Sequence, residues 1–271
     1  MGHMVKVEPA IETLMQQVGS TECRSLPFGK VLLRNSAKQS LIKAAASPRG
    51  RVLLRNEALG ITRLSQALGD HLRVPSVHVL HDDETLCALE LTSVKGTPPR
   101  SWRAPHQGLE AMLNSEQRET NLHDVLVAEQ VEKDLIQTLL DRHGNPCVPV
   151  APSHGDYIYW NLLCAPNAKP GLIDFEYYSP ARLSFYDDLH FRVAPWLWRL
   201  VRLKMPLGAL RKTLQVFIKN QQTSLSNELV FDLFVVHWMQ IANWIYVSDP
   251  DANDRHEFPR LRIGPRLLDR S

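Results

Sequence analysis

The run Ser153-His154-Gly155-Asp156-Tyr157-Ile158-Tyr159-Trp160-Asn161, followed by Gly171-Leu172-Ile173-Asp174-Phe175-Glu176, holds the densest set of chemistry-bearing residues in this chain. It places an Asp, an Asn five residues on, and an Asp-Phe-Glu turn within one short stretch. Transfer of a phosphoryl group from a nucleotide needs such groups together. One carboxylate must orient or deprotonate the attacking hydroxyl, and oxygen ligands must hold magnesium against the phosphates. A His-Gly-Asp turn alone is common, and Asp156 and Asp174 could each simply cap a turn. The specificity lies in coupling that turn to Asn161 and then to Ile173-Asp174-Phe175-Glu176.

These residues need elements to position them. Ile11 to Val18 reads as a short opening helix. Lys30 to Arg34 and Ser40 to Ala44 read as two strands around a polar turn. A Ser-Pro-Arg-Gly breaker follows at 47–50, and Arg51 to Leu68 repeats Leu54, Ala58, Ile61 and Leu64 at helical spacing. Val74 to Leu80 and Thr85 to Leu91 suggest further strands around Asp82-Asp83. Lys95-Gly96-Thr97-Pro98-Pro99 is the strongest linker signal, and it sets an expected boundary between an N-terminal nucleotide-binding lobe, 5–95, and a C-terminal catalytic and acceptor-binding lobe, 96–271. Beyond it, Gln107 to Leu113 and Leu122 to His143 read as amphipathic helices, the second stopped by Gly144. Val148 to Pro152 is an extended approach to the His-Gly-Asp turn. Asn161 to Cys164 and Gly171 to Asp174 form a small expected hairpin, and from Asp187 onward the pattern is mainly helical.

Composition narrows the class. The chain has 271 residues, 44% hydrophobic and 22% charged, enough for a substantial core and unlike a disordered chain. A formal net charge of +2 gives no footprint for nucleic acid. The four cysteines are scattered without a Cys-x-x-Cys pair, which argues against a zinc ribbon or redox motif and fits a reducing compartment. Met1-Gly2-His3-Met4 reads as a cloning scar, and no signal segment follows it. The most apolar long window, Leu229 to Val247, contains Asp232, His237, Gln240 and Asn243 and therefore reads as a buried helix rather than a membrane span. The expectation is a soluble cytoplasmic protein.

The His-Gly-Asp-(four residues)-Asn loop and the Ile-Asp-(aromatic)-(acid) segment together resemble the aminoglycoside phosphotransferase and choline kinase-like family, distant relatives of the protein kinases. The resemblance implies an α+β, two-lobed protein kinase-like fold with a small antiparallel-sheet N-lobe and a larger, mostly helical C-lobe. It implies ATP or GTP and magnesium as cofactors. Asp156 would accept or steer the acceptor hydroxyl's proton, Asn161 and Asp174 would be metal ligands, and Glu176 a supporting carboxylate or occasional ligand. His154 would brace the loop by hydrogen bonds. Upstream, Lys43 in the strand Leu41-Ile42-Lys43-Ala44-Ala45 and Glu57 on the following helix stand in the family's order of phosphate-binding lysine and positioning glutamate. Ala88 to Val94 falls where the family places its hinge, with Glu90, Leu91 and Val94 as candidates near adenine. Asp187 reads as a helix cap. The pattern departs from the kinases at the phosphate-covering loop: Val18 to Gly29 carries only two, widely spaced, glycines. Ser25 or amides near Phe28-Gly29 are the candidate substitutes.

The acceptor side is basic. Leu189 to Asn227 contains no Asp or Glu but includes Arg192, Arg199, Arg202, Lys204, Arg211, Lys212 and Lys219, together with Trp196 and Trp198. Polycationic aminoglycosides need an acidic pocket, so this asymmetry points to an anionic or neutral acceptor, a hydroxyl-bearing small molecule or sugar. It is also compatible with contact at a membrane surface, and with a plain solvated helix face. The expected activity is magnesium-dependent transfer of a γ-phosphoryl group to a hydroxyl, with no nucleic-acid partner. The competing classes are a nucleotide-binding pseudokinase or regulatory protein, a protein kinase, and a metal-dependent phosphoesterase that would not need Lys43 and Glu57.

Overall fold

The structure, a computed structural model, describes residues 8–35, 38, 40–99, 116–202, 207–219, 224–246 and 268. The expected helix over Gln107 to Leu113 lies outside them. The chain forms two compact units, one of residues 1–108 with 154–178 and one of 109–153 with 179–271.

The first unit is built on a five-stranded antiparallel sheet in the order β1-β2-β3-β5-β4. Its strands are β1 (Cys23–Leu26), β2 (Lys30–Asn35), β3 (Ser40–Ala45), β4 (Val77–Asp82) and β5 (Cys87–Leu91). Strand alternation decides what each face carries. Val31, Leu33, Ile42, Ala44 and Ala88 join Ile11 and Leu14 of α1 (Pro9–Val18) in one apolar cluster. The intervening residues belong to the opposite face. There Leu32 lies across from Lys43, Lys30 across from Ala45, and Lys43 across from Leu89. Both β2 and β3 therefore present a lysine on that second face. β1 occupies part of the stretch from Val18 to Gly29 that the sequence left without an element.

Helix α2 (Pro48–Leu68) starts where the breaker was read. Ser47 is its N-cap and accepts from the Gly50 N–H at 3.0 Å, while Pro48 fills the first turn. Leu53, Leu54, Ile61, Leu64 and Leu68 are buried along one stripe, and Glu57 sits among them at 1% exposure. Residues 154–178 return to this unit. Their hairpin, β8 (Leu162–Leu163) with β9 (Gly171–Leu172), is tied in by bridges from Thr97 to Cys164 and from Arg73 to Gly171.

The second unit combines a three-stranded antiparallel sheet, β10 (Ser179–Leu183), β7 (Cys147–Ser153) and β6 (Arg118–Asn121), with helices α3 (Leu122–Ala128), α4 (Lys133–His143), α5 (Tyr186–Arg202), α6 (Leu207–Ile218) and α7 (Asn227–Tyr246). Leu122 to His143 is thus two helices rather than one. The break has a local cause: Gln130 takes φ 57°, and the preceding Glu129 turns its carboxylate to Arg182 and His237. Strands β6 and β10 are too short and polar to show alternation, and they form only because β7 lies between them. The apolar window of α7 is buried from Leu229 to His237. Its Asp232 is matched by Arg142 and His143, each at 2.8 Å. Among the described residues no helix is long and apolar enough to cross a membrane.

Candidate active site

The acidic turn after β9 is held from two sides. On one, α2 approaches closely: a side chain at Gly60 would meet Tyr178 Cβ at 2.7 Å and Phe175 Cβ at 3.0 Å. One turn earlier, Asn56 Nδ2 donates to the carbonyls of Glu176 (2.8 Å) and Tyr178 (2.9 Å). On the other side, His154 links the two sequence motifs. Its Nδ1 accepts from the Asp156 N–H at 3.3 Å, so its Nε2 carries the proton and donates to the Ile173 carbonyl at 3.0 Å. The ring is buried and tilted against Phe175, 4.8 Å between centroids. Both nitrogens are committed, which makes His154 a brace for the loop.

Within the loop, Asn161 Nδ2 donates to the Asp156 carbonyl at 2.9 Å and to Asp156 Oδ2 at 3.1 Å. The Ile173 N–H donates to the Asn161 carbonyl at 3.0 Å. Asn161 is buried and Asp156 half-buried. Asp174 stands at φ 69°, the left-handed region, which costs a non-glycine residue about 1 kcal/mol.

Lys43 reaches this turn. Its Nζ lies 2.8 and 2.9 Å from the two Glu57 oxygens, 2.8 Å from Asp174 Oδ1 and 3.3 Å from Glu176 Oε1. Lys30, buried at the head of β2, pairs with the other Glu176 oxygen. Burial alone would lower the pKa of the Lys43 ammonium. Glu57, Asp174 and Glu176 outweigh that effect and hold it charged, above the ordinary lysine range. Glu57 moves the other way. Complete burial, reinforced by Glu176 and Asp174, pushes its carboxyl up to about 7 against the pull of Lys43. Burial also tends to raise Asp174, but Lys43 and then Lys30 bring it below its usual value.

One oxygen from each of Glu57, Asp174 and Glu176 lies within 4.8 Å of the others. This all-oxygen donor set suits a hard cation such as magnesium, and the Asp174 side chain, 41% exposed, is the one open to a ligand. The structure therefore brings together Asp156, Asn161, Asp174, Glu176, Lys43 and Glu57.

The three hinge candidates are placed apart from that cluster. Glu90 accepts from Ser40 Oγ at 2.6 Å, Lys38 Nζ at 3.1 Å and Asn35 Nδ2 at 3.4 Å, so its side chain ties down the β2–β3 turn. Leu91 is buried at the end of β5, and Val94 packs on Gly171 in the extended segment that follows. Sequence reading missed Lys30 and Asn56. A lysine at a strand head is ordinary, and only the pairing register of β2 with β3 reveals that it faces the same way as Lys43. Of the basic acceptor run, Arg192 is paired with Asp188 at 2.9 Å, Arg211 lies over the Phe231 ring at 5.9 Å, and Lys212 and Lys219 are exposed. Lys204 and the side chains of Trp196, Trp198, Arg199 and Arg202 lie outside the described residues.

The architecture is a protein kinase-like fold, shared with solved aminoglycoside phosphotransferases. The chain resembles a thermostable mutant of aminoglycoside phosphotransferase APH(4)-Ia, solved with ADP and hygromycin B, at TM-score 0.59 and 12% identity over 94% of this chain and 97% of that one. It likewise resembles APH(2")-IIa in a ternary complex with streptomycin and ATP, at TM-score 0.54 and 14% identity over 98% and 97%. A thermostable mutant of APH(4)-Ia in its apo form aligns at TM-score 0.60 and 11% identity over 94% and 97%. No protein-family model and no curated protein sequence matches the chain. The fold expected from the two motifs is the fold observed.

Proposed function

We propose that this chain is a magnesium-dependent phosphotransferase that moves the γ-phosphoryl group of ATP or GTP to a hydroxyl of a small molecule or carbohydrate. The observation that carries this reading is the convergence of Lys43, gripped by both Glu57 oxygens, on Asp174 and Glu176, in the same unit as the bonded pair Asp156 and Asn161. A metal-binding turn that served hydrolysis alone would have no use for a buried lysine held by a dedicated glutamate.

In this reading Lys43, oriented by Glu57, binds the nucleotide phosphates. Asp156 orients the acceptor hydroxyl and takes its proton as the oxygen attacks phosphorus. The Asn161 bond to Oδ2 of Asp156 fixes that carboxylate for the purpose. Asn161 and Asp174 are the residues that would hold magnesium, supported by Glu176; a magnesium ion bound there would neutralise charge on the phosphate oxygens. Backbone groups from Glu90, with Leu91 and Val94, would meet the base. The acid-free run from Leu189 to Asn227 supports an anionic or neutral acceptor over a polycationic aminoglycoside.

Thermal-shift titration with ATP and magnesium, followed by ATP consumption across pooled hydroxyl acceptors, tests the proposal. Saturable stabilisation and turnover on at least one acceptor are expected, with turnover lost in Asp156→Asn and Lys43→Ala. Binding without turnover on any acceptor would mark a nucleotide-binding regulatory protein. Phosphate release that survives Lys43→Ala would mark a phosphoesterase.

A further inference from the structure

Kinases that bind phosphates with a glycine-rich loop use backbone amides between the first two strands. In this protein the connection from β1 to β2 is the three-residue turn Pro27-Phe28-Gly29, with Leu26 paired to Lys30. Phe28 and Gly29 stand at φ 65° and 66°. The turn is fastened to the start of α2, where Ser47 Oγ donates to the Phe28 carbonyl at 2.6 Å. The fit there is close: a Cβ on Gly50 would come within 2.8 Å of that same carbonyl oxygen, and one on Gly29 within 3.0 Å of Ser47 Oγ. A turn this short and this anchored presents no run of glycine amides.

What it does present is Lys30. The side chain is 4% exposed, unusual for a lysine, and its ammonium is directed to Glu176, whose other oxygen meets Lys43. Two lysines from adjacent strands thus converge on one carboxylate of the acidic turn. We infer that Lys30 is a second phosphate-contacting cation of this site, standing in for the missing glycine-loop amides and acting beside Lys43. The inference rests on the nucleotide reading above. Glu57 grips Lys43 with both oxygens, whereas Lys30 pairs with Glu176, a carboxylate that a bound cation would engage. The competing role for Lys30 is simple neutralisation of Glu176.

The two roles separate in binding measurements made in EDTA, which removes any contribution of metal. Affinities for ATP and for adenosine would be measured by calorimetry on wild type, Glu176→Gln, Lys30→Ala/Glu176→Gln and Lys30→Arg/Glu176→Gln. Working in the Glu176→Gln background avoids leaving a buried carboxylate unpaired when Lys30 is removed, and urea unfolding of each variant checks that it is folded. The expected result is a loss of about tenfold or more in ATP affinity on adding Lys30→Ala. Adenosine affinity should stay within about twofold, and the Arg variant should recover most of the ATP affinity. Equal ATP affinity with and without Lys30→Ala, or equal losses for ATP and adenosine, would overturn the inference. If ATP binding survives Lys30→Ala but is lost in Lys43→Ala, Lys30 alone is misassigned. If wild type binds neither ligand, the nucleotide reading and this inference fall together.

Discussion

Each unit of the molecule buries a knot of charge, and the two are balanced differently. In the first, the carboxylates of Glu57, Asp174 and Glu176 pair with the ammonium groups of Lys30 and Lys43. One of them, Asp174, is 41% exposed and sits on left-handed backbone. In the second, Glu129 meets Arg182 at 3.2 Å, accepts from Ser179 Oγ at 3.3 Å and lies 3.7 Å from His237 Nδ1. None of those three ionisable side chains is more than 12% exposed. The second knot is closed and near neutral, with no strained backbone among its members. The first carries surplus negative charge and an open edge. Burial of charge is common to both, so burial alone marks neither as a reaction site. Surplus charge, exposure at one corner and strain at that same corner are what distinguish a site that a cation and a ligand can complete from one already complete.

That contrast breaks cleanly under mutation. Asp174→Asn should lower phosphotransfer by about 100- to 1,000-fold or more, while the unfolding free energy shifts by no more than about 1 kcal/mol, because Lys43 keeps Glu57 and Glu176. Steady-state kinetics paired with urea unfolding reads both numbers. Arg182→Leu should do the reverse. It strands Glu129 without its main partner and should cost about 3–5 kcal/mol, with kcat/KM of the remaining folded fraction near wild type. Comparable losses of activity and stability in both variants would erase the distinction.

The pH dependence of stability should also differ in sign between the knots. Burial, against the opposing pull of Glu129, lowers His237 to about 4. Its folded pKa is below the unfolded value, so its contribution is full above about 6.5 and is lost as pH falls from there toward about 4, by up to about 3 kcal/mol. Urea midpoints across that range should fall with acid, and His237→Gln should flatten the slope. Glu57 is displaced upward, to about 7, so its contribution is full below its unfolded value of about 4.5 and fades as pH rises through about 7. Glu57→Gln should therefore remove an opposing slope in the same range. The smallest effect concerns the anchored turn. Ser47→Ala removes the α2 cap and the bond to Phe28, and should cost about 1 kcal/mol with a modest loss of ATP affinity.

Much of the site was legible because its chemistry is local in sequence. Asp156, Asn161, Asp174 and Glu176 lie in one stretch, and a loop that must present a carboxylate and an amide together leaves a recognisable spacing. Lys43 and Glu57 were legible for a different reason: each is ordinary by itself, but a strand lysine followed by a helix glutamate, upstream of the His-Gly-Asp run, is the order that the family resemblance implies. The glycine-poor stretch before β2 was visible too, but only as an absence.

What the residues by themselves determined is the reactive inventory and the elements that bear it, since hydrophobic period, capping residues and motif spacing are properties of neighbours along the chain. The tertiary structure decided the rest. It assigned Lys30 to the face of Lys43, through a β2–β3 register that no local pattern specifies. It split Leu122 to His143 in two, because the Glu129 carboxylate is better matched by Arg182 and His237 than by another helical turn. It drew Glu90 to the β2–β3 turn and pinned the β1–β2 turn to Ser47. Each of these depends on pairing between residues far apart in sequence, and pairing energy becomes visible only once the chain has brought the partners together.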